Sequence, residues 1–289
     1  MLTLIVNPQA GGGRAGRQLA SVQAALDARG LAHQVKPTRS LDHARELGLA
    51  AGVGGGLVVA FGGDGLIGAV AHALAQADGV LGVLPGGRGN DFARALGIPL
   101  KASAACEVLR SGQVREVDLG QVGSSTFIGI ASCGFDSEAN RLANETRLVR
   151  GNLVYVYGAL RALISWRPAR FEVTLDTGEH RTLTGYTVAA ANSKAYGGGM
   201  MMAPQASLQD GLLDVVLVGD VAKPRFLRLL PTVFKGAHVN QPNVHVLRAR
   251  EIEVSADRPF TMYADGDPIA ELPATVRALP RAVRVMMPA

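Results

Sequence analysis

Short apolar runs alternate with amphipathic stretches over roughly the first 118 residues. Three apolar runs predict buried strands, at Leu2 to Val6, Leu57 to Phe61 and Val80 to Leu84. The stretch Arg14 to Arg29 has the apolar spacing of a helix, with Leu19 and Leu26 on one face, and Gly30 follows as a C-terminal cap. Strands that alternate with helices are typical of βαβ units, so a Rossmann-like α/β domain with a parallel sheet is predicted here.

After Asp118 the pattern becomes mainly strand-like. The runs lie at Thr126 to Ser132, Phe171 to Leu175, Tyr186 to Ala191, Leu212 to Val218 and Val244 to Val254. Asp176 to Glu179 is typical of a hairpin turn, and helices are predicted at about Ser137 to Trp166 and Pro224 to Ala237. We therefore predict an N-terminal α/β domain over 1–120 and a mainly antiparallel β domain over 121–275. The tail 276–289 is predicted to be one more strand that can return to the first domain.

Composition supports a folded chain of 289 residues: 48% are hydrophobic, 18% are charged, and the mean hydropathy is +0.18. The net charge of +5 suits anionic small molecules, membranes and nucleic acids equally, so it selects no partner. The spacing of Cys106 and Cys133 predicts neither a disulfide framework nor a zinc site. The N-terminus has no basic leader and no 18-residue apolar stretch occurs, so a cytosolic protein without a membrane span is expected.

Two glycine clusters match the G-x-G-x-x-G pattern, at Gly11-Gly13-Gly16 and Gly63-Gly65-Gly68. Each follows a predicted strand and opens a helix, where backbone N–H groups and the helix dipole favour phosphate. The acid that a dinucleotide fold places about 20 residues later is missing after both clusters. Lys36, Arg39 and Arg88 nevertheless leave an NADP-dependent oxidoreductase as an alternative.

Asp64 lies inside the second glycine cluster. A carboxylate there repels a pyrophosphate unless a divalent cation or a substrate hydroxyl lies between them, as in phosphoryl transfer. This favours a kinase. The alternative is that Asp64 merely caps the following predicted helix, Leu66 to Gln76.

The ordered motifs resemble the diacylglycerol kinase catalytic family, which includes bacterial lipid kinases and sphingosine kinases and is more distantly related to NAD kinases. They are NPQAGGG at 7–13, FGGDG at 61–65, LPGGRGNDFARALGIP at 84–99, VDLG at 117–120, YGGGMMMAPQASLQDGLLDVV at 196–216 and ADGDP at 264–268. The resemblance covers nearly the whole chain. It implies an active site in the cleft between an N-terminal α/β domain and a C-terminal β domain.

The resemblance also implies roles for particular residues. The ATP-contacting positions are Asn7, Pro8, Gly11, Gly12, Gly13, Thr38, Gly62, Gly63, Asp64, Gly65, Leu66, Gly68, Asn90 and Asp91. Independently of the resemblance, the permanent charge and planar fork of Arg88 predict that it too contacts the ATP phosphates. The catalytic acids are Asp64, Asp265 and Asp267, of which one in the late motif accepts the proton of a lipid hydroxyl. A Mg²⁺ site is implied at Asp210 with Ser207 and Leu212, and Asp118 is implied as a bridging acid.

The expected activity is an ATP- and Mg²⁺-dependent lipid kinase, with diacylglycerol as the leading acceptor, at the membrane surface and without a nucleic-acid partner. A homodimer is compatible with this expectation. Gly68 and Ala69 replace the Asn-Glu pair of the family, and Arg88 replaces a Thr or Ser. These departures leave a non-catalytic nucleotide- or lipid-binding regulator as an alternative, and the sequence does not identify the lipid.

Overall fold

A computed structural model describes residues 1–146 and 153–289 of the chain. The chain divides into two compact units. Unit 1 comprises Met1–Asp118 with Arg281–Ala289, and unit 2 comprises Leu119–Pro280. Among the helices of the described residues, none is both long and apolar enough to cross a bilayer.

Unit 1 alternates strands and helices along the chain. Its elements are β1 (Leu2–Val6), α1 (Ala10–Asp27), β2 (His33–Pro37), α2 (Leu41–Gly52), β3 (Leu57–Gly62), α3 (Asp64–Leu74), β4 (Val80–Pro85), α4 (Asp91–Ala95), α5 (Ala102–Ser111) and the first part of β5 (Gln113–Val122). The strands β2, β1, β3 and β4 lie side by side in that order and are all parallel. The short apolar runs thus form strands of the predicted parallel sheet, and helices connect these strands along the chain.

The core of unit 1 lies between this sheet and its helices. Leu4, Ile5 and Phe61 of the strands and Ile67 of α3 are fully buried. The C-terminal strand of the chain, Ala274–Met287, also contributes to unit 1: Arg284 and Val285 pair in parallel with Val80 and Leu81 of β4.

Unit 2 is mainly antiparallel. Its elements are β6 (Ser125–Phe127), β7 (Ile130–Gly134), α6 (Phe135–Glu145), α7 (Leu153–Ser165), β8 (Ala169–Leu175), β9 (His180–Ala191), β10 (Leu213–Gly219), α8 (Lys223–Leu229), β11 (Val244–Ala249), β12 (Glu251–Ala256), β13 (Thr261–Ala264), β14 (Asp267–Glu271) and the first part of β15 (Ala274–Met287), with two 3₁₀ turns at Leu230–Lys235 and Ala237–Asn240.

One sheet of unit 2 runs in the order β14, β13, β7, β9, β8, β12 and β15. The long strand β9 also pairs with β10, which in turn pairs with β11. The two helices α6 and α7 cover part of this unit with an aromatic cluster, in which Phe135 makes edge contacts with Trp166, Tyr186 and Phe226. The Asp176 to Glu179 hairpin turn is confirmed, with Thr174 opposite His180 and Gly178 at φ +84°.

Several predicted elements differ from the observed ones. The run Val244 to Val254 is two strands, β11 and β12, because the chain turns at Arg250 between them. The predicted helix Pro224 to Ala237 is α helical only to Leu229, since Pro231 has no N–H for the next turn and a 3₁₀ helix follows. The predicted helix Ser137 to Trp166 corresponds to α6, which begins earlier at Phe135, and α7; the predicted residues 147–152 lie outside the described residues.

Candidate active site

The sheet topology of unit 1 places its glycine-rich motifs at one edge. Asn7 to Gly13 follow β1, Thr38 follows β2, Gly62 to Gly68 span the end of β3 and the start of α3, and Arg88 to Asp91 follow β4. Since parallel strands share one carboxyl edge, these four loops are neighbours. The strand order reverses at β1 and β3, and open α/β sheets bind ligands outside the carboxyl ends of the strands at such a switch point.

Three of these loops meet backbone to backbone. A Cβ atom on Gly87 would overlap Cα of Gly63, and a Cβ atom on Gly11 would come within 2.5 Å of the carbonyl oxygen of Gly86. Side chains are therefore excluded from these contacts. Such an approach leaves backbone groups at the surface of the loops, where a phosphate can reach them.

The glycine run at the start of α1 interrupts the helix. Gly11, Gly12 and Gly13 have φ of +62°, +69° and +82°, which is left-handed backbone that favours glycine. A Cβ atom on Gly12 would meet nothing within 4 Å, so the space beside this residue is open. Pro8 lies just before the run, where its carbonyl accepts the N–H of Gly16. This cradle fits a nucleotide phosphate.

Asn90 fixes the loop after β4. It has φ +55°, its Oδ1 accepts the N–H of Gly87 at 2.8 Å, and its Nδ2 donates to the carbonyl of Gly87 at 3.2 Å. The side chain of Asn90 and that of Asp91 beside it are buried. In this structure Asn90 therefore shapes the loop by binding its backbone.

Asp64 does not cap its own helix. Gly63 is the N-cap of α3, and Oδ1 of Asp64 accepts the N–H of Phe92, 3.1 Å away at the start of α4. The capping alternative was therefore wrong in its simple form, because the carboxylate reaches a different loop. This bond links the loop after β3 to the loop after β4 and leaves Asp64 half-buried at the sheet edge.

Three further predicted positions, Thr38, Leu66 and Arg88, differ in the surroundings of their side chains. Thr38 bonds to neighbouring backbone, with its Oγ1 donating to the carbonyl of Ser40 at 2.7 Å. Leu66 is buried and packs against Gly62, so it faces the core with its side chain. Arg88 is exposed on the glycine-rich turn.

Sequence reasoning missed two arginines near the glycine run. Arg14 donates from a guanidinium nitrogen to the carbonyl of Gly87 at 3.2 Å, and Arg17 donates to the carbonyl of Gly12 at 3.2 Å. Both follow the run GGG closely in the sequence, and this could have marked them. Their positive charges lie beside the loops in which we expect anionic groups to bind.

In unit 2, Asp265 and Gly266 form the two-residue turn between β13 and β14. Both have positive φ, +52° and +99°, as a type I′ hairpin turn requires. The two carboxylate oxygens of Asp265 accept the N–H groups of Ile128 at 2.8 Å and Gly129 at 2.9 Å. The side-chain amide of Asn140 donates to the carbonyl of Gly266 at 3.0 Å. The turn is thus anchored from both sides.

Asp267 differs from Asp265 in its surroundings. It is the first residue of β14, it pairs with Ala264 across the hairpin, and it is exposed. The turn therefore carries one carboxylate that holds backbone, and it is followed by a second acid at an exposed position.

The predicted metal loop has a single acid. Oδ1 of Asp210 accepts the N–H of Leu212 at 3.1 Å, and Arg248 forms an ion pair with Oδ2. Ser207 Oγ accepts the N–H of Gln209 at 3.2 Å. Among the described residues no group of three or more His, Cys, Asp or Glu side chains could hold a metal ion.

Asp118 lies at the end of the unit 1 part of β5. It is buried, with 1% of the residue exposed, and its Oδ1 accepts the N–H of Arg281 at 2.7 Å. Arg281 has φ +52°. In this structure Asp118 therefore holds a left-handed turn in the C-terminal strand, and its predicted role as a bridging acid stays a prediction.

Sequence reasoning also missed a partly buried carboxyl in unit 2. Oδ1 of Asp136 accepts the N–H of Ser137 at 3.0 Å and the hydroxyl of Thr187 at 3.2 Å, and Oδ2 accepts the hydroxyl of Tyr196 at 3.4 Å. Burial raises the pKa of Asp136 to about 6. Burial and then the adjacent Asp136 raise the pKa of Tyr196 well above its ordinary value. Tyr196 begins the YGGGM segment, so Asp136 anchors that segment.

Two protein-family models match the chain. The diacylglycerol kinase catalytic domain matches residues 1–122, and the YegS C-terminal NAD kinase beta sandwich-like domain matches residues 129–287. Neither model describes an oxidoreductase, so the oxidoreductase alternative receives no support.

Curated relatives and solved structures agree with these matches. A diacylglycerol kinase of Mycobacterium tuberculosis (strain H37Rv) is 36% identical over 296 residues, covering 99% of this chain and 95% of the relative. The probable lipid kinase YegS of Escherichia coli O1:K1 / APEC is 30% identical and covers 86% and 82%. The crystal structure of a diacylglycerol kinase from Bacillus anthracis str. Sterne has a TM-score of 0.76 at 19% identity, covering 99% of this chain and 96% of that chain. That structure is similar to this chain in fold.

Proposed function

Because this chain belongs to the lipid kinase family that combines a diacylglycerol kinase catalytic domain with a YegS C-terminal domain, we propose that it phosphorylates a membrane lipid hydroxyl with ATP. Diacylglycerol is the proposed acceptor and phosphatidic acid the product. The observation that carries the proposal is the meeting of three glycine loops at the β1/β3 switch point, with Asp64 among them.

The donor side of the proposed reaction belongs to unit 1. Backbone N–H groups of the glycine run and of the first turn of α3 would hold phosphate oxygens, and Arg14 and Arg17 would offset their negative charge. Asn90 keeps the loop after β4 in its conformation. When bound, ATP supplies the phosphoryl group, and Mg²⁺ neutralises charge that develops on it.

The acceptor side needs a carboxylate that removes a proton from an alcohol. Both oxygens of Asp265 are engaged by the backbone N–H groups of Ile128 and Gly129, so this carboxylate holds the loop before β7. Asp267 is exposed beside it. We therefore assign proton acceptance to Asp267 and positioning of the turn to Asp265. The lipid oxygen loses its proton to Asp267 and forms a bond to the γ-phosphorus, while the bond from that phosphorus to the β,γ-bridging oxygen breaks and ADP leaves.

Asp64 in unit 1 and Asp210 in unit 2 differ in how well they could bind a Mg²⁺ ion. Asp64 offers an oxygen ligand beside the phosphate cradle, and Mg²⁺ often takes one or two carboxylates together with substrate phosphates. Asp210 already has a guanidinium on one oxygen and an N–H on the other. A Mg²⁺ ion at Ser207, Asp210 and Leu212 would have to displace Arg248, so no step of the proposed reaction is assigned to that loop.

One observation favours a second candidate function. At positions 68 and 69 of α3 this chain has Gly and Ala, where the family has an amide and a carboxylate side chain. A chain that binds nucleotide or lipid without turnover would need the glycine cradle but not Asp64 as a catalytic acid.

A single assay separates these candidates. Purified protein is incubated with labelled ATP, Mg²⁺ and a panel of detergent-dispersed lipids that includes diacylglycerol, and lipid products are identified by mass. We expect ADP release that depends on lipid, with labelled phosphatidic acid as the main product. The matched variant Asp64→Asn keeps the side-chain volume and should lose at least about 100-fold in kcat, the usual cost of removing a catalytic acid or base.

If the protein is a non-catalytic regulator, the same preparation should give a different result. It would bind ATP in calorimetry but release no ADP with any lipid, and Asp64→Asn would then change nothing. If Asp64→Asn retained more than about a tenth of kcat, the acid would be left with its structural bond to Phe92 alone.

A further inference from the structure

Two neighbouring helices of unit 2 expose apolar and basic side chains together. On α7, Leu160 and Ile164 lie one turn apart and are 46% and 81% exposed. On α8, Leu227 is 41% exposed. The basic residues beside them are also exposed: Arg161 on α7, Arg167 just after it, and Arg225 and Arg228 on α8. We call these seven residues the basic-apolar surface.

The two helices are tied to each other and to the core of the unit. Nζ of Lys223, at the start of α8, donates to the carbonyl of Ile164 at 2.9 Å. Phe226 of α8 and Trp166 at the end of α7 both contact Phe135, with ring centroids 4.8 Å and 5.7 Å away. The exposed side chains therefore rest on a rigid aromatic support, and Ile164 lies next to the first turn of α8.

The two sequence segments that carry this surface are basic and contain no acidic residue. No Asp or Glu occurs from 146 to 171 or from 221 to 250. Six of the 29 Lys and Arg residues of the chain lie within 153–168 and 221–240: Arg161, Arg167, Lys223, Arg225, Arg228 and Lys235. The remaining chain has 23 basic residues against 24 acidic ones, so the net charge of +5 arises in these two segments.

We propose that the basic-apolar surface docks on an anionic lipid bilayer. An exposed isoleucine is favourable where it enters the boundary between headgroups and acyl chains, and arginines around it then meet lipid phosphates. A neutral partner would offer no anionic group to these arginines. An acidic protein partner would not need Ile164 to be so exposed. Charge complementarity and apolar exposure on one support thus favour the bilayer.

This inference rests on the proposed function, since a kinase for a membrane lipid has to reach its acceptor in the bilayer. Docking is nevertheless a binding event that needs neither ATP nor turnover. Each basic residue near an anionic surface changes the partition coefficient by about fivefold, and burying an isoleucine side chain changes it by tenfold or more. These two contributions make separate variants informative.

The test is co-sedimentation of the full-length protein, without ATP, with vesicles of phosphatidylcholine and phosphatidylglycerol in equal amounts. We expect Arg225→Gln/Arg228→Gln to lower the partition coefficient about 25-fold at 0.1 M salt, and Ile164→Ser to lower it about tenfold. Vesicles of phosphatidylcholine alone should bind the wild type weakly, and high salt should remove the difference between the wild type and the double variant.

Matched controls come from unit 1 and from the turn between β11 and β12 in unit 2. Val53→Ser removes an apolar side chain that is 74% exposed, and Arg115→Gln/Arg250→Gln removes two exposed positive charges. Both should bind as the wild type does. Kinase activity on detergent-dispersed lipid should be the same in all five proteins. If the wild type were fully active but did not bind anionic vesicles, the docking surface would be refuted and the proposed function would stand.

Other results also overturn the proposal. Equal losses in the controls would mean that net charge or general apolarity governs binding. If Ile164→Ser instead converted a dimer to a monomer in analytical ultracentrifugation and left vesicle binding unchanged, the surface would be an interface between copies of this chain.

Discussion

At the scale of single residues, Asp136 shows how a partly buried carboxyl ties stability to pH. Its partners Ser137, Thr187 and Tyr196 all donate hydrogen bonds to it, yet burial outweighs them and raises its pKa to about 6. The unfolded chain releases this proton near its ordinary pKa of 3.8. Between these values the folded state binds more protons than the unfolded state, so the contribution of Asp136 to stability is greatest below pH 4 and is lost as the pH rises through 6.

We therefore expect Asp136→Asn to reduce the pH dependence of stability. Urea unfolding at pH 4.5 and pH 7.5 should show that the wild type loses about 2 kcal/mol more than the variant over this interval, the free energy of the pKa shift. Asparagine keeps an oxygen that can accept from Thr187 and Ser137. The control Asp78→Asn changes an exposed carboxyl and should leave the wild-type pH dependence in place. Identical slopes for the wild type and Asp136→Asn would contradict the assignment.

Arg88 is a second residue whose role can be measured directly. It lies exposed on the turn after β4, beside the backbone contact of Gly87 with Gly63. We predict that its guanidinium binds ATP phosphates, so Arg88→Ala should weaken ATP binding by about 1.5 to 3 kcal/mol, the range for a hydrogen bond to a charged group. Arg88→Thr should recover part of this loss. The control Arg115→Ala removes an exposed arginine on β5 and should leave ATP affinity unchanged. Calorimetry decides, and changes below about 0.5 kcal/mol for both Arg88 variants would mark an ordinary surface arginine.

At the scale of elements, the β13–β14 hairpin separates two acids that the sequence leaves equivalent. Asp265 holds the N–H groups of Ile128 and Gly129, whereas Asp267 is exposed. We expect Asp267→Asn to lower kcat by at least about 100-fold with an unchanged melting temperature and unchanged ATP affinity, because a base acts in the transition state. Asp265→Asn should instead lower the melting temperature, since one buried N–H loses its acceptor. If Asp265→Asn folded as the wild type and were the inactive variant, the proton acceptor would be Asp265.

Strands could be predicted from the sequence where the chain has a nearly continuous apolar run. The runs at Leu2 to Val6 and Val80 to Leu84 are β1 and β4 because strands buried on both faces are apolar throughout. The strand β2, His33–Pro37, has no such run, since it lies at the edge of the sheet and is only partly buried. The break between β11 and β12 was missed for a different reason: the turn at Arg250 has no glycine or proline to mark it.

At the scale of the whole molecule, the candidate site was predictable only in part. The motif loops could be assigned to strand ends from the sequence, but their meeting depends on the strand order β2, β1, β3, β4, which no local pattern encodes. The bond of Asp64 to Phe92, the bonds of Asp136 to Thr187 and Tyr196, and the ion pair of Asp210 with Arg248 all join residues 28 or more positions apart. Such contacts follow from tertiary packing, so sequence spacing gives no sign of them.

The same long-range dependence links the first strands of the chain to its last residues. Val283 and Val285 are buried, with 1% and 0% exposed, and Val285 pairs with Leu81 of β4. Loss of these residues removes two valines from the core of unit 1, at about 1.5 to 3 kcal/mol each, and uncovers the edge of β4. Since small domains are stable by only about 5 to 15 kcal/mol, a chain that ends at Pro280 should lose much of the stability of unit 1.

This last prediction is tested by urea unfolding and limited proteolysis of the shortened chain. We expect unit 1 to unfold at a lower urea concentration, as monitored by the fluorescence of a tryptophan placed at Phe61. We also expect faster proteolytic cleavage within 1–118. A chain that lacks only Pro288 and Ala289 serves as the control, because it keeps both buried valines. An unchanged midpoint after truncation at Pro280 would show that the parallel sheet of unit 1 is complete without its C-terminal strand.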